Sequence, residues 1–218
     1  MKQAKLPEVA KELITVYKQA RFFNGSEIIP PERVNFILDA LWDLTKCRCK
    51  GTKLIYRLDS QNTSNFHLYI DKKENLLVVV KLSNGSIVGG FTNTTLETGV
   101  SSSNGKGFCF NLNHERVFKP RNGTSQNVTT YDSFYFILGN AEIRLRTGEK
   151  KIFSNFGIAR SYFDNLDFPR TDFLGVTKAE NNELDIESYE FYKIDFDYEW
   201  FIDSISITAG GIIDLKDI

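Results

Sequence analysis

Two strongly β-forming runs joined by Asn84-Gly85 constrain this chain more than any other feature. Leu76 to Leu82 carries Val78, Val79 and Val80 at its centre, and β-branched side chains suit a pleated, half-buried surface. Asn-Gly between two apolar runs is the strongest short-range hairpin signal. A type I′ turn needs positive φ at both central positions, which these two residues supply most easily. The spacing predicts a hairpin whose returning strand is Ile87 to Phe91. Gly89-Gly90 inside that strand predicts either a bulge or a close approach by another backbone.

The residues just upstream belong to the same block. Leu54-Ile55-Tyr56-Arg57-Leu58 is a compact apolar run, and the polar stretch from Asp59 to Ser64 breaks it. Phe66 and Ile70 are four apart, so on a short helix they share one face. Lys53 to Thr92 therefore reads as strand, short helix, strand, turn, strand.

This block resembles the start of a TLDc domain. The resemblance is carried by Leu54-Ile55-Tyr56-Arg57, Ser64, Phe66-His67, Leu77 to Lys81, Asn84-Gly85 and Gly89-Gly90-Phe91-Thr92. Further along, Phe108-Cys109-Phe110-Asn111-Leu112, Val117-Phe118-Lys119-Pro120, Lys151 to Gly157, Phe173-Leu174-Gly175 and Leu184 to Ile194 fall where that family has strands and steps of similar type. Asn62-Thr63-Ser64 stands where the family usually has Gly-Phe-Ser. The segment Asp132 to Ile143 lacks most of the family's glycines. The chain reads as a divergent member.

In chain order, Leu6 to Phe23 has the apolar spacing of an amphipathic helix, with Gly25 at its stop. Pro30-Pro31-Glu32 opens a second helix. Val34, Ile37, Leu38, Leu41 and Leu44 line one face of it and Trp42 sits beside them; basic residues and Gly51 close it. Asn93 to Lys106 and Arg121 to Thr130 read as polar loops. Gly107 to Leu112 alternates as a strand, and His114 to Phe118 follows. Asp132 to Leu138 and Ala141 to Arg146 bracket Gly139-Asn140, a second hairpin signal. Beyond Ile194, the alternation of Ile205 and Ile207 favours one more strand, or a segment that plugs a groove on a partner.

Charge is uneven along the chain. From Asp164 onward there are fourteen Asp and Glu against four Lys and Arg, leaving fourteen acids and twenty-three bases before it. The acidic quarter is either one face of the domain or a segment that docks on a partner. No apolar run approaches the ~20 residues that span a bilayer, and the first residues lack a signal-peptide core. Three cysteines make an odd count for a secreted scaffold, so the compartment reads as reducing. The Asn-x-Ser/Thr sequons at Asn24, Asn62, Asn84, Asn93, Asn122 and Asn127 then follow from an Asn-, Ser- and Thr-rich composition.

Catalytic chemistry finds little support. His67 and His114 have no Ser or Cys at catalytic spacing. Cys47-x-Cys49 is tighter than a zinc half-site and has no second half. Cys109 alternates with Phe108 and Phe110, so its thiol is either buried or oxidisable, and exposure decides which. Glu187 with Glu190, or Asp195 with Asp197, could hold a cation, but on an exposed strand edge they read as a solvated face. No phosphate-binding glycine motif is present, and the bases are not interleaved with aromatics as a nucleic-acid surface requires. The catalytic, cofactor-binding and metal-site expectations are all none.

The expected fold is α+β and mainly β, an antiparallel two-sheet β-sandwich flanked by helices. Residues 1–25 are expected as a helical arm, 26–194 as the TLDc-like domain and 195–218 as an acidic, apolar extension. The resemblance implies a non-enzymatic protein-interaction domain, linked to oxidation resistance or to the vacuolar proton ATPase. The alternative is a structural subunit of a large ciliary or mitochondrial assembly. A peroxide-linked enzyme at Cys109 is a third reading. The expected location is intracellular, cytoplasmic first.

Overall fold

The computed structural model describes residues 21–58, 66–97, 101–119, 126–131, 135–138, 143–146, 150–153, 171–174 and 183–197. The fold is mainly β, a curled antiparallel sheet with few helices. A 3-10 turn, Pro31–Arg33, leads into α1 (Val34–Thr45). Strand β1 (Arg48–Arg57), helix α2 (Phe66–Ile70) and strands β2 (Leu76–Leu82) and β3 (Ile87–Thr92) follow. Then come β4 (Ser101–Gly105), β5 (Gly107–Asn111), β6 (Arg116–Phe118), β7 (Gln126–Tyr131), β8 (Tyr135–Leu138), β9 (Ile143–Arg146) and β10 (Lys151–Phe153). Helix α3 (Thr171–Leu174) precedes the long strand β11 (Glu183–Asp197).

The strand order is β4-β7-β8-β9-β10-β11-β2-β3-β5-β6, with β1 also paired to β11. β11 is the hinge of this path. Its first residues pair with β10, its middle with β2, and its last half with β1. No helix among the described residues is long and apolar enough to cross a membrane.

Alternation along β2 and β11 divides the core in two. Leu76, Val78, Val80, Tyr189 and Phe191 face one cluster, which Leu145 of β9, Ile152 of β10 and Phe173 of α3 join. Leu77, Val79, Tyr192, Ile194 and Phe196 face the other, covered by Ile37 and Leu41 of α1 and by Phe22, Phe23, Ile28 and Ile29. β2 is thus buried on both faces, which explains its unbroken apolar run. Of the stripe expected on α1, Val34, Ile37 and Leu41 are buried and Leu38 and Leu44 partly so; Ala40 is buried with them, and Trp42 is 40% exposed. The core takes in Phe22 and Phe23, ahead of the expected boundary at residue 26, and β11 runs three residues past Ile194.

Several local expectations are corrected. The β2–β3 hairpin forms, but not through a type I′ turn. Gly85 has φ 83 and Asn84 is not among the residues with positive φ. The loop has three residues, closed by Leu82 N–H donating to Ser86 O at 2.9 Å. Asn84 is used differently: its Oδ1 accepts the Ser86 N–H, and its Nδ2 donates to the Leu174 carbonyl of α3. The Phe173 carbonyl beside it accepts from the buried Asn111 Nδ2 at 2.8 Å. Two asparagines therefore satisfy carbonyls that a helix end leaves open.

Gly89-Gly90 forms no bulge, since β3 stays in register with β2 and β5. The close approach is real: a Cβ at Gly89 would lie 2.3 Å from both the Phe110 ring and the Val78 carbonyl. The α1 helix ends at Lys46, in the left-handed region at φ 56, not near Gly51. Gly51 lies inside β1, at one of its two register shifts against β11. The two segments read as polar loops contain strands, β4 and β7, which pair with each other at Ser101↔Thr129 and Ser102↔Val128. Backbone pairing holds them, and no apolar alternation announces them. The helix expected over Leu6 to Phe23 lies almost wholly outside the described residues, as do the Gly139-Asn140 tip and residues 198–218.

Candidate functional site

β11 carries Tyr189-Glu190-Phe191-Tyr192 through the interior of the sheet. At Glu190 both neighbours are paired, Val79 on one side and Arg57 on the other. A charged side chain here has nowhere to reach water, and Glu190 is 0% exposed. It is held by polar groups converging from β1, β11 and residues 26–27, which enter over the helix-side core.

Its Oε1 accepts the Glu27 backbone N–H at 2.9 Å and Arg57 Nε at 2.9 Å. Arg57 Nη2 lies 2.8 Å from the same oxygen. Oε2 accepts the Ser26 hydroxyl at 2.6 Å and the Tyr192 hydroxyl at 2.7 Å. Ser26 Oγ in turn accepts the N–H groups of Ile28 and Ile29. Arg57 also reaches the Glu27 carboxylate at 2.7 Å and the Gly25 carbonyl. Burial pushes the Tyr192 phenol well above its ordinary value of 10.0, and the adjacent carboxylate adds to this. Tyr192 therefore stays a donor to Glu190, and the Phe23 ring meets it edge-on at 5.1 Å.

These hydrogen bonds fasten residues 26–29 to β1 and β11. Among the described residues, Ser26 Oγ donates to Glu190 and accepts from Ile28 and Ile29, so the oxygen connects Glu190 to the turn at Ile28-Ile29. The network ties residues 25–29 to β1 and β11, and with them the apolar Phe22, Phe23, Ile28 and Ile29 that close one core.

The sequence treated Glu187 and Glu190 as one solvated acidic pair on a strand edge. That reading is corrected. Glu187 is exposed and bridges Lys81 at 2.6 Å, whereas Glu190 points into the protein. The strand is not an edge, and residues three apart on it face opposite sides. Asp195 is exposed and shares no site with Glu190.

The other candidates stay apart. His67 Nδ1 of α2 meets Asp71 Oδ1, just past the helix, at 3.2 Å in a part-buried position. His114 sits in the β5–β6 turn, where Asn111 Oδ1 accepts its backbone N–H. Cys109 is fully buried on the opposite face from Phe108 and Phe110. That removes the access which peroxide chemistry needs. The Cys47 thiol is pushed up by burial, and Cys49 by burial to about 12. Both donate to backbone carbonyls, of Thr45 and Gly51. Among the described residues, no group of three His, Cys, Asp or Glu gathers where a metal could sit.

A protein-family model of the TLDc domain matches residues 22–195. The chain belongs to the TLDc domain family. The match begins at Phe22, the first of the described residues whose ring enters the helix-side core, and ends within β11. Comparison with curated proteins finds no match. The TLDc match thus spans both halves of the sheet and the whole Glu190 network, from Ser26 to Tyr192.

Proposed function

We propose that this TLDc chain is a non-catalytic protein-interaction domain, working in oxidation resistance or in regulation of the vacuolar proton ATPase. The observation that carries the interaction reading is on α2. Leu68 is 77% exposed and its neighbour Tyr69 is 41% exposed, with the Tyr69 ring set 5.5 Å from that of Tyr56. A rigid aromatic beside a projecting Leu, on a helix fixed by the fully buried Ile70, is the kind of anchor that protein interfaces use.

The non-catalytic part is supported by how the nucleophiles are employed. Ser26 is committed to Glu190 and two backbone amides, Cys109 is buried, and burial holds Cys47 and Cys49 as thiols. Three cysteines, none of them in a disulfide, support a reducing, intracellular setting. The same reading takes the curled sheet as a two-sheet sandwich. The shared cluster of Val78 and Tyr189 with Leu145 and Ile152 supports that stacking.

The test is affinity purification of the tagged chain from its own cells, beside Leu68→Glu. Co-purification of proton-pump subunits with the natural chain, and their loss with the variant, supports the regulatory reading. Recovery of a stoichiometric set of axonemal or respiratory subunits overturns it and recasts the domain as scaffold. An exposed substitution of this kind shifts stability by only about 0.5 kcal/mol, so loss of capture reports the surface and not unfolding.

A further inference from the structure

One end of the sheet gathers an uneven charge. α1 finishes there with Trp42, Asp43 and the left-handed Lys46, whose N–H donates to the Trp42 carbonyl at 2.8 Å. Lys119, just after β6, reaches across to Asp43, and Lys46 holds the other oxygen of that carboxylate at 3.2 Å. Lys106, just before β5, lies at the same end of the β5–β6 pair as Lys119, since Cys109 pairs with Phe118. Lys46, Lys106 and Lys119 are all exposed. Asp43 shares α1 with one other acid, the exposed Asp39 a turn earlier, and the two lysines that grip Asp43 hold its carboxyl below the usual value. Asp197 stands opposite Arg48 in the β1–β11 register, so these two offset one another. The corner is left with an excess of ammonium groups around a Trp that is 40% exposed.

The same corner is where the chain leaves the sheet. Asp197 ends β11 beside Arg48, two residues from Lys46. The segment that begins there, 198–218, carries Glu199, Asp203, Asp214 and Asp217 against Lys216, with Trp200-Phe201-Ile202 among them. We propose that the Lys46–Lys106–Lys119 corner around Trp42 is the docking surface for the chain's own acidic, aromatic segment 198–218. Charge sign and apolar character match, and the segment starts next to the surface. Tethering gives an effective concentration of about a millimolar for short linkers, so contacts too weak to hold a free peptide suffice. The docked segment covers the corner, and an acidic partner segment binds there only by displacing it.

Zero-length carbodiimide cross-linking of the full chain tests this, with equal amounts of light and heavy-isotope copies and peptide mass spectrometry. The Asp43–Lys119 link reports that the corner is folded. The expected result is links from Lys46, Lys106 or Lys119 to Glu199, Asp203, Asp214 or Asp217 within one copy. They should fade at about 1 M salt, where the screening length is ~3 Å. Lys106→Glu should lower their yield by about threefold, the scale of one surface charge pair. Light-to-heavy links would overturn the proposal in favour of a second copy. A chain that forms the Asp43–Lys119 link but none to 198–218 would leave the corner to an acidic partner instead, and would also overturn it.

Discussion

Arg57 sets two nitrogens, Nε at 2.9 Å and Nη2 at 2.8 Å, on one oxygen of Glu190, its direct cross-strand partner. The carboxylate is wholly buried, while the guanidinium side chain is 26% exposed. Arg57 can therefore recover some water when its partner is lost, but Glu190 cannot.

Removing Arg57 should accordingly be the more damaging change. Breaking a buried pair from one side costs about 3–5 kcal/mol, because a charge is left without compensation. Arg57→Met should fall at the upper end of that range and Glu190→Gln at the lower end. The Gln amide still accepts from Glu27 but sets an N–H against the hydroxyls of Ser26 or Tyr192. Urea midpoints of the two variants check the order. The reverse order would mean that the arginine, not the carboxylate, bears the burial cost.

Tyr192→Phe removes one donor to the same carboxylate and keeps the ring against Phe23. A hydrogen bond to a charged group contributes about 1.5–3 kcal/mol. Combined with Glu190→Gln, the loss should be well below the sum of the two, since both act on one oxygen. Additive losses in a double-mutant cycle would show that the 2.7 Å contact contributes nothing of its own.

The difference between what the sequence disclosed and what it hid follows from range. The stripe on α1 and the alternation on β2 are local patterns, legible because helix and strand have fixed periods. The Glu190 network is not local: Ser26 is 164 residues away. A lone Glu in a one-dimensional reading is a solvated residue. Its signal was the company it keeps, since a Glu between Tyr189 and Phe191 in a strand paired on both sides has no route to solvent. Arg57, at the end of an apolar run, was the matching half. β4 and β7 were hidden for another reason. Their Ser, Asn and Thr content gives no apolar period, and only the partner strand makes them strands. Asn84-Gly85 gave the hairpin but the wrong turn, because the asparagine is drawn to Ser86 and to the end of α3.

Gly89 lacks room for any side chain. A Cβ there would overlap the Phe110 ring and the Val78 carbonyl at 2.3 Å. Overpacking of this kind costs about 1–3 kcal/mol, and Gly89→Ala should lie at or above the top of that range. Phe110→Leu in the Gly89→Ala background should recover only part, because the carbonyl is backbone and cannot swing away. Full recovery, read from thermal midpoints, would place the obstacle in the ring alone.

Lys46 offers the opposite case. It holds φ 56 at the end of α1, where glycine bears no Cβ penalty. Its ion pair with Asp43 is exposed on both sides and is worth little. Lys46→Gly should stabilise the chain by about 0.5–1 kcal/mol, while Lys46→Val should destabilise it. A loss of stability with glycine would show that the lysine contacts at the corner outweigh the backbone strain.

Alkaline pH should weaken the fold through two acids, the partly buried Cys49 and the buried Tyr192. Burial above all pushes the Cys49 thiol up to about 12 from 9.0; the Gly51 backbone, next in size, opposes it, the nearby Asp195 charge adds a smaller rise, and Arg21 a still smaller lowering. Burial likewise raises Tyr192 above 10.0. In both cases the folded chain keeps a proton that the unfolded chain releases. The folded state then binds more protons, so stability falls as pH rises. The contribution is intact below about pH 9, declines from there as unfolded Cys49 ionises, and declines further above about pH 10 as unfolded Tyr192 does. The slope is at most about 1.4 kcal/mol per pH unit for each group. Urea midpoints taken between about pH 8 and pH 11 should show the decline in the natural chain. Cys49→Ser should flatten its first part, and Tyr192→Phe its second. An unchanged first part in Cys49→Ser would mean that the thiol is solvated enough to ionise in the folded state, and that the start of β1 is more open than its packing against Phe196 and α1 implies.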